Sequence, residues 1–148
     1  MANKALEVIE KQSKQYIVVM VGNEQYGIDI SYIDNIVRMQ KITRVPRIQP
    51  YFNGIINLRG EIVSVMSIRK KMGLEEDVFT HSSRIIILKI EEKGALGIIV
   101  DEVREGVNLS EDEIEKVSNK GRFINGIGTH GDELISLLEI NAIVDEGQ

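Results

Sequence analysis

The chain has 148 residues, of which 43% are hydrophobic, with no cysteine and a formal net charge of −5. A chain of this length buries roughly 68–70% of its unfolded surface, enough for one compact domain or two closely packed subdomains, and the lack of cysteine excludes disulfides, a thiolate nucleophile and a cysteine zinc site. No apolar run reaches the ~18 residues that span a membrane, and the charged start MANKALEVIEKQSKQ is unlike a signal peptide, so we expect a cytoplasmic protein.

The first elements in chain order are a hairpin and a short helix. Residues 16–21, YIVVMV, and residues 26–30, YGIDI, are typical of two strands joined by a turn. The next segment, residues 31–39, has apolar residues at helical spacing: Ile33, Ile36 and Val37. Because Ser31 can serve as its N-cap, we predict a short helix inserted between strands.

The rest of the chain repeats the hairpin pattern. Residues 54–58 and 61–68 predict a second hairpin, and RKKMGL predicts a helical turn that ends at Gly73. Further strands are predicted at residues 84–90, 95–100, 103–109, 123–130 and 133–140. Ser110 and Glu113 have the spacing of a capping box.

An internal repeat links the two halves. Residues 52–68 align with residues 124–140 at a constant offset of 72 positions, with Asn53 on Asn125 and Gly54 on Gly126. The repeat predicts a mainly β fold of two related small barrels in tandem, each of about five short strands, because closure removes exposed strand edges. The alternative is a chance similarity between two ordinary hairpins.

Candidate catalytic motifs lack the context that their chemistry needs. Residues 126–131, GIGTHG, match G-x-G-x-x-G, but the following segment alternates as a strand, whereas a dinucleotide site needs a helix there. His81 and His130 have no further ligands at metal-binding spacing. Asp101 and Glu102 are adjacent and would point to opposite sides of a strand. We therefore expect no enzyme, no metal and no cofactor.

Nucleic-acid binding by a small β-barrel is an alternative. Basic residues recur every three positions and again downstream: Arg38, Lys41, Arg44, Arg47 and residues 69–71. Such a cluster can contact phosphates. The chain has no tryptophan and only 5% aromatic residues, however, and single-strand binders use aromatic side chains to stack bases.

An ordered set of segments resembles the CheW family of bacterial chemotaxis coupling proteins: GNEQYGIDISYIDNIVR, ITRVP, NGIINLRGEIVSVMSIRKKMGL, LGIIVDEV and INGIGTHGDELISLLEI. The resemblance extends from about Tyr16 to Val144. It implies two SH3-like five-stranded β subdomains with short helices, at approximately residues 15–80 and 81–148, with strands that can cross over. Residues 1–14 would form a separate N-terminal segment, flexible or helical.

The resemblance also implies a function. The protein would be a non-enzymatic adaptor that couples the cytoplasmic tips of methyl-accepting chemoreceptors to the regulatory domain of the histidine kinase CheA. It would be recruited to membrane receptor arrays without inserting into the membrane and would bind no nucleic acid. The receptor would dock in a groove between the subdomains, and the kinase on the outer face of the first barrel.

The resemblance also implies, by position in the sequence, which residues contact the receptor and which contact the kinase. The implied receptor-binding residues are Ile30, Ile33, Asn35, Ile36, Arg59 and Val103. The implied kinase-binding residues are Ile42, Val45 and Ile62. The chain departs from the family where proline and aspartate are common, at Ser64 and Ser67, and where a carboxylate is common, at Asn35. If Arg59 pairs with that carboxylate in the family, the pair is absent here, and Asn35 or the neighbouring Asp34 would replace it by hydrogen bonding.

Arg59 is not explained by the turn in which it lies. The repeat places Thr129-His130-Gly131-Asp132 where the first half has Asn57-Leu58-Arg59-Gly60, so an equivalent turn forms without arginine. Turns require residues that tolerate particular backbone angles, and arginine offers no advantage there. Composition alone favours a solvated turn residue at this position. With the family resemblance added, we expect the Arg59 side chain to act at the receptor groove.

Overall fold

The computed structural model describes residues 13–91, 94–117 and 123–145, so the predictions for residues 1–12 lie outside the described residues. These residues form β1 (Ser13–Val21), β2 (Glu24–Asp29), β3 (Ile33–Arg38), β4 (Phe52–Leu58), β5 (Glu61–Ser67), α1 (Ile68–Lys71), β6 (Arg84–Ile90), β7 (Gly94–Val100), β8 (Glu102–Ser110), β9 (Ile114–Lys116), β10 (Ile124–His130), β11 (Glu133–Leu138) and α2 (Ile140–Ile143). Within them, neither helix is long or apolar enough to cross a lipid bilayer.

The strands form two sheets, which confirms the mainly β prediction. The six-stranded sheet has the order β8-β1-β2-β11-β10-β9, and the five-stranded sheet has the order β3-β6-β7-β5-β4. Each contains one parallel pair, β2 with β11 and β5 with β7. The sheets interleave along the chain, since β1 and β2 join the sheet of β8–β11. A division near residue 80 therefore does not separate the sheets.

Each sheet is closed by a single stretch of chain. In the six-stranded sheet, the edge strands β8 and β9 are separated only by the 3₁₀ turn Glu111–Glu113. The N–H of Ser110 donates to the carboxylate of Glu113 at 2.9 Å, as the capping box predicts, and this bond lowers the pKa of Glu113. In the five-stranded sheet, Thr43 after β3 pairs with Ile55 of β4 through two 2.8 Å backbone hydrogen bonds. Few strand edges are left exposed.

The internal repeat is visible in the structure. β4, β5 and α1 correspond to β10, β11 and α2, and the two helices begin 72 positions apart, at Ile68 and Ile140. Both hairpins also shift register at the same place, beside Gly54 and beside Gly126. A chance similarity of hairpins would not reproduce the helix and the bulge together.

The two sheets pack on one another through a continuous apolar core, the shared cluster. It comprises Val19, Val21, Tyr26, Ile28, Met66, Ile68, Ile86, Leu88, Ile90, Leu96, Ile98, Val100, Leu138, Ile140, Ile143 and Val144. Neighbouring residues of β6 face the other way, where Ile85 and Ile87 fill a separate cluster inside the five-stranded sheet. Both faces of β6 are thus buried, which explains its uninterrupted apolar run. Each buried aliphatic side chain contributes about 1.5–3 kcal/mol.

The predicted helix at residues 31–39 is wrong. A 3₁₀ turn covers Ile30–Tyr32, capped by the Asp29 carboxylate, which accepts the N–H of Ser31 at 2.9 Å. The next six residues form β3, paired with β6. Exposure in β3 alternates with a period of two. Its β-branched residues favour a strand, and the pairing with β6 outweighs the helical spacing of three apolar residues.

Gly54 allows the five-stranded sheet to close. Its φ is +141°, and a Cβ placed there would lie 2.1 Å from the carbonyl oxygen of Thr43. That carbonyl accepts the N–H of Ile55 in the closing bridge. Only glycine fits both the backbone angle and the close approach.

A carboxylate at the passage between the sheets ties them together. Asp101 lies between β7 and β8 and accepts hydrogen bonds from the Nε and Nη2 of Arg69, which follows β5 in α1. Its Oδ2 also accepts the N–H of Gly22 in the β1–β2 turn at 2.8 Å, and its own N–H donates to Met20 at 2.9 Å. The Asp101 carboxylate raises the pKa of Arg69. This ion pair therefore links the end of one sheet to a turn of the other.

We expect Gly54→Ala to destabilise the protein by about 2–4 kcal/mol, because it combines overpacking with a strained φ. Gly22→Ala is the control: its φ is +65° and no atom lies within 4 Å of the added Cβ. It should cost only ~1 kcal/mol. Urea unfolding of the two variants measures the difference, and equal losses would contradict a steric role for Gly54.

We expect Asp101→Asn to cost about 2–3 kcal/mol, because Arg69 would lose its charged partner in a largely buried site. Glu102→Gln is the matched control, since Glu102 pairs with Arg104 at 3.1 Å but both side chains are about half exposed. That exposed pair should contribute less than ~0.5 kcal/mol. Thermal and urea unfolding of both variants provide the comparison, and a small effect at Asp101 would show that the pair does not join the sheets.

Candidate partner-binding surfaces

The glycine motif at residues 126–131 is part of a hairpin. It occupies β10 and the turn to β11, where Gly131 has a φ of +63°. Gly128 packs closely on β8, since a Cβ there would lie 2.5 Å from the Cδ1 of Leu109 and that buried side chain would have to shift. Among the described residues, no group of three or more His, Cys, Asp or Glu side chains could hold a metal ion. What the fold offers instead is surface for binding.

Two of the implied receptor residues pack on the apolar core that the sheets share. Ile33 begins β3 in the five-stranded sheet, and Val103 lies in β8 of the six-stranded sheet, opposite Val19. Both are half-buried and pack against the shared cluster from its margin. The structure therefore places these residues, 70 positions apart, at the margin of one core.

The other implied residues on this part of the chain are divided between two faces. A bulge follows Ile33, so Ile36 pairs with Ile86 on the same face as Ile33 but is exposed, whereas Asn35 pairs with Ile87 on the other face and is half-buried. Ile30 is exposed in the 3₁₀ turn just before the strand. The implied set thus surrounds the start of β3 and does not line one side of a helix.

Arg59 occupies the first position of a two-residue hairpin turn. Its φ is +54° and that of Gly60 is +87°, so both central residues are left-handed, as in a type I′ turn. The Oδ1 of Asn57 accepts the N–H of Gly60 at 2.9 Å and fixes the turn. The equivalent position in the repeat is Gly131. An arginine there is conformationally strained, by about 1 kcal/mol.

The Arg59 side chain projects from the end of the sheet at which β3 begins. The register places Ser64, Leu96, Leu88 and Ile33 in one row across the five-stranded sheet. Because β5 and β3 run in the same direction, the β4–β5 turn lies beyond the row on the same side as Ile30. Arg59 is exposed and makes no hydrogen bond or ion pair with the residues described. Asn35 is not its partner in this structure.

The implied kinase residues lie on the five-stranded sheet and its closing segment. Ile42 and Val45 are half-buried between β3 and β4, where both line a cavity of about 830 Å³. Ile62 is 59% exposed on the outward face of β5. Large apolar side chains near this cavity that sequence reasoning missed are Ile48 and Phe79.

One further exposed residue was missed although the repeat indicates it. Leu134 lies 72 positions after Ile62 and is 65% exposed on β11. The departures at Ser64 and Ser67 have local explanations: Ser64 is exposed, and the Oγ of Ser67 caps α1 by accepting the N–H of Lys70 at 3.1 Å. Serine and aspartate cap helices equally well, so the change at Ser67 preserves the cap.

Comparisons with known proteins agree along nearly the whole chain. The family model for the CheW-like domain matches residues 15–148. The chemotaxis protein CheW of Bacillus subtilis is 33% identical over 141 residues, covering 92% of this chain and 90% of that protein. CheW of Helicobacter pylori is 30% identical, covering 88% of this chain and 81% of that protein.

A solved structure also matches. The crystal structure of the scaffolding protein TtCheW from Thermoanaerobacter tengcongensis has a TM-score of 0.82 and 31% identity, covering 91% of this chain and 95% of that chain. Agreement in the family model, in sequence and in fold leads to one conclusion. The chain belongs to the CheW-like family of chemotaxis proteins.

Proposed function

We propose that this protein couples methyl-accepting chemoreceptors to the regulatory domain of the histidine kinase CheA, as a non-enzymatic adaptor recruited to membrane receptor arrays. The observation that carries the proposal is the match to the CheW-like domain over residues 15–148, together with the likeness to a scaffolding protein of the same family. The match covers 90% of the Bacillus relative and 81% of the Helicobacter relative.

Two separate surfaces support an adaptor role. The groove surface comprises Ile30, Ile33, Asn35, Ile36, Arg59 and Val103, and is assigned to the receptor. The outer surface comprises Ile42, Val45 and Ile62, and is assigned to the kinase. A standard interface buries about 800 Å² per partner. The accessible surface is 9528 Å², so the molecule has room for two partners at once.

The fold suits this task because its two sheets share one apolar core, the shared cluster, which connects both surfaces. Binding receptor and kinase to one molecule raises the effective concentration of each for the other. A change in the receptor can then shift the arrangement of the kinase without any chemistry in the adaptor.

Two of the cations that suggested nucleic-acid binding, Arg69 and Lys71, are engaged within the fold. Arg69 is bound to Asp101. Lys71 is buried, donates to the carbonyl of Asp145 at 2.6 Å and lies 4.0 Å from the ring centroid of Tyr51. These cations stabilise the fold and cannot track a phosphate backbone.

The two surfaces should be separable by substitution. We expect Ile36→Asp to weaken binding of a receptor-tip fragment by more than ~tenfold and to leave kinase binding unchanged, because a charge would be buried in one interface only. Ile62→Asp should have the opposite effect. Both side chains are exposed in the free protein, whereas Ile33 packs on the core and would confound folding with binding.

Leu134→Asp is the matched control for Ile62→Asp, because it changes an equally exposed position of the repeat. Titrations of each variant with the CheA regulatory domain, a receptor tip and an oligonucleotide complete the test. Failure of the wild-type protein to bind either chemotaxis partner, or salt-dependent binding to the oligonucleotide, would refute the adaptor proposal. Equal losses at Ile62 and Leu134 would move the kinase contact away from the outer surface.

Arg59→Gly should separate stability from binding. Glycine relieves the left-handed strain at a small cost in chain entropy, so we expect the free energy of unfolding to be unchanged or higher by up to ~1 kcal/mol. Receptor binding should weaken by roughly tenfold through loss of the guanidinium, while kinase binding persists. Urea unfolding and receptor titration measure the two effects. A marked loss of stability would instead identify Arg59 as a structural residue.

A further inference from the structure

A cavity of about 830 Å³ opens on the five-stranded sheet beside the outer surface. Its walls come from residues 42–53, which close the sheet, and from the irregular segment that follows α1. Apolar side chains there include Phe52 and the exposed Ile48 and Phe79. Ile42 and Val45 line it as well, so the cavity is continuous with the surface assigned to the kinase.

Asp77 in the cavity wall has an unsatisfied carboxylate. Both of its oxygens are shielded from solvent, and neither has a hydrogen-bond partner among the residues that the structure describes. A carboxylate that is shielded from water and has no donors is strongly unfavourable relative to one in water. Almost all buried polar groups in folded proteins are bonded, so an exception calls for a reason.

Neighbouring cations form no hydrogen bond with it. Arg69 lies close enough for Asp77 to raise its pKa, but its guanidinium donates to Asp101 and, at 3.1 Å, to the carbonyl of Glu76. Three further cations line the cavity and are exposed to solvent: Arg44, Arg47 and Lys70. Because water solvates these side chains, they gain little by pairing with Asp77.

We propose that this cavity receives one arginine or lysine side chain of the partner that docks on the outer surface, with Asp77 as its counter-ion. The proposal rests on the assignment of that surface to the kinase. The aliphatic stem of the incoming residue would pack on Ile48 and Phe79 while its charged end reaches the carboxylate, after the rim side chains move aside. The arginine or lysine of the partner would therefore form an ion pair with Asp77, whose carboxylate has no hydrogen-bond partner in the free protein.

The cations at the cavity rim determine which residues can flank the incoming arginine or lysine in the partner. Arg44, Arg47 and Lys70 repel a run of basic residues but attract carboxylates. The cavity therefore favours an isolated arginine or lysine with acidic or apolar neighbours. A polybasic segment, such as one that binds nucleic acid, does not fit.

Asp77→Asn distinguishes this role from a structural one. Glu75→Gln is the control, because it removes the same charge from an exposed position two residues away. In the free protein, Asp77→Asn should leave the melting temperature unchanged or raise it, because an uncompensated carboxylate is removed. A lower melting temperature than that of Glu75→Gln would show that Asp77 is already paired within the chain and would overturn the proposal.

A small-molecule probe tests the site without the kinase. N-acetyl-arginine amide at millimolar concentration should shift the backbone amide resonances of residues 47–49 and 76–79 in the wild type and in Glu75→Gln, but not in Asp77→Asn. An N-acetyl-norleucine amide control should produce no such shifts. If the arginine probe leaves these resonances unchanged, or acts equally on all three proteins, the proposal is wrong.

The kinase titration then distinguishes the two proposals. If the CheA regulatory domain binds, Asp77→Asn should weaken binding by about tenfold or more, whereas Glu75→Gln should change it little. Equal affinities for the two variants would refute the ion pair while leaving the adaptor function intact. If the regulatory domain does not bind even the wild type, the proposed function fails, and the melting temperatures and the arginine probe still decide the role of Asp77.

Discussion

The structure depends on the apolar cluster shared by the two sheets. Neither sheet is a free-standing barrel with a solvated exterior, since one side of each is covered by the other. The central strands therefore bury both faces, which demands unbroken runs of isoleucine, leucine and valine in β6 and β7. The chain passes between the sheets at two points, and Asp101 fixes one of them by holding Arg69 and Gly22 together.

Much of this fold could be predicted from the sequence because its signals are local. The hairpins follow from alternating runs that flank glycine turns, and the repeat places β4, β5 and α1 on β10, β11 and α2. The pairing partners could not be predicted in this way. The hydrogen bonds that join β2 to β11 and β7 to β5 are parallel contacts between distant segments, with no signature in either sequence alone.

β3 shows how a local pattern can mislead. Three apolar residues at helical spacing are also compatible with a strand that has one exposed residue. Only the pairing with β6 decides between helix and strand. The consequence for the binding surfaces is direct, because the bulge after Ile33 leaves Ile33 and Ile36 on one face of the strand and Asn35 on the other. The receptor and kinase residues are implied by the resemblance to the family, and the structure shows how exposed each of them is. At Arg59 it adds a positive φ, which residue types do not reveal. Asp77 was invisible to sequence reasoning because shielding of its oxygens arises from the folded loops around it.

The chain is a chemotaxis adaptor of the CheW-like family, and the interleaving of its strands also governs how it must fold. β2 cannot pair on this side until β11 has been synthesised, because Tyr26 pairs with Ser136 and Gly27 with Leu137. During synthesis, the first hairpin leaves the ribosome long before the strand that completes its sheet. Such non-local pairing makes folding slow, and it leaves apolar edges uncovered until the last strands arrive. The two halves of the repeat therefore cannot act as independent folding units, although each carries a recognisable copy of the same hairpin and helix.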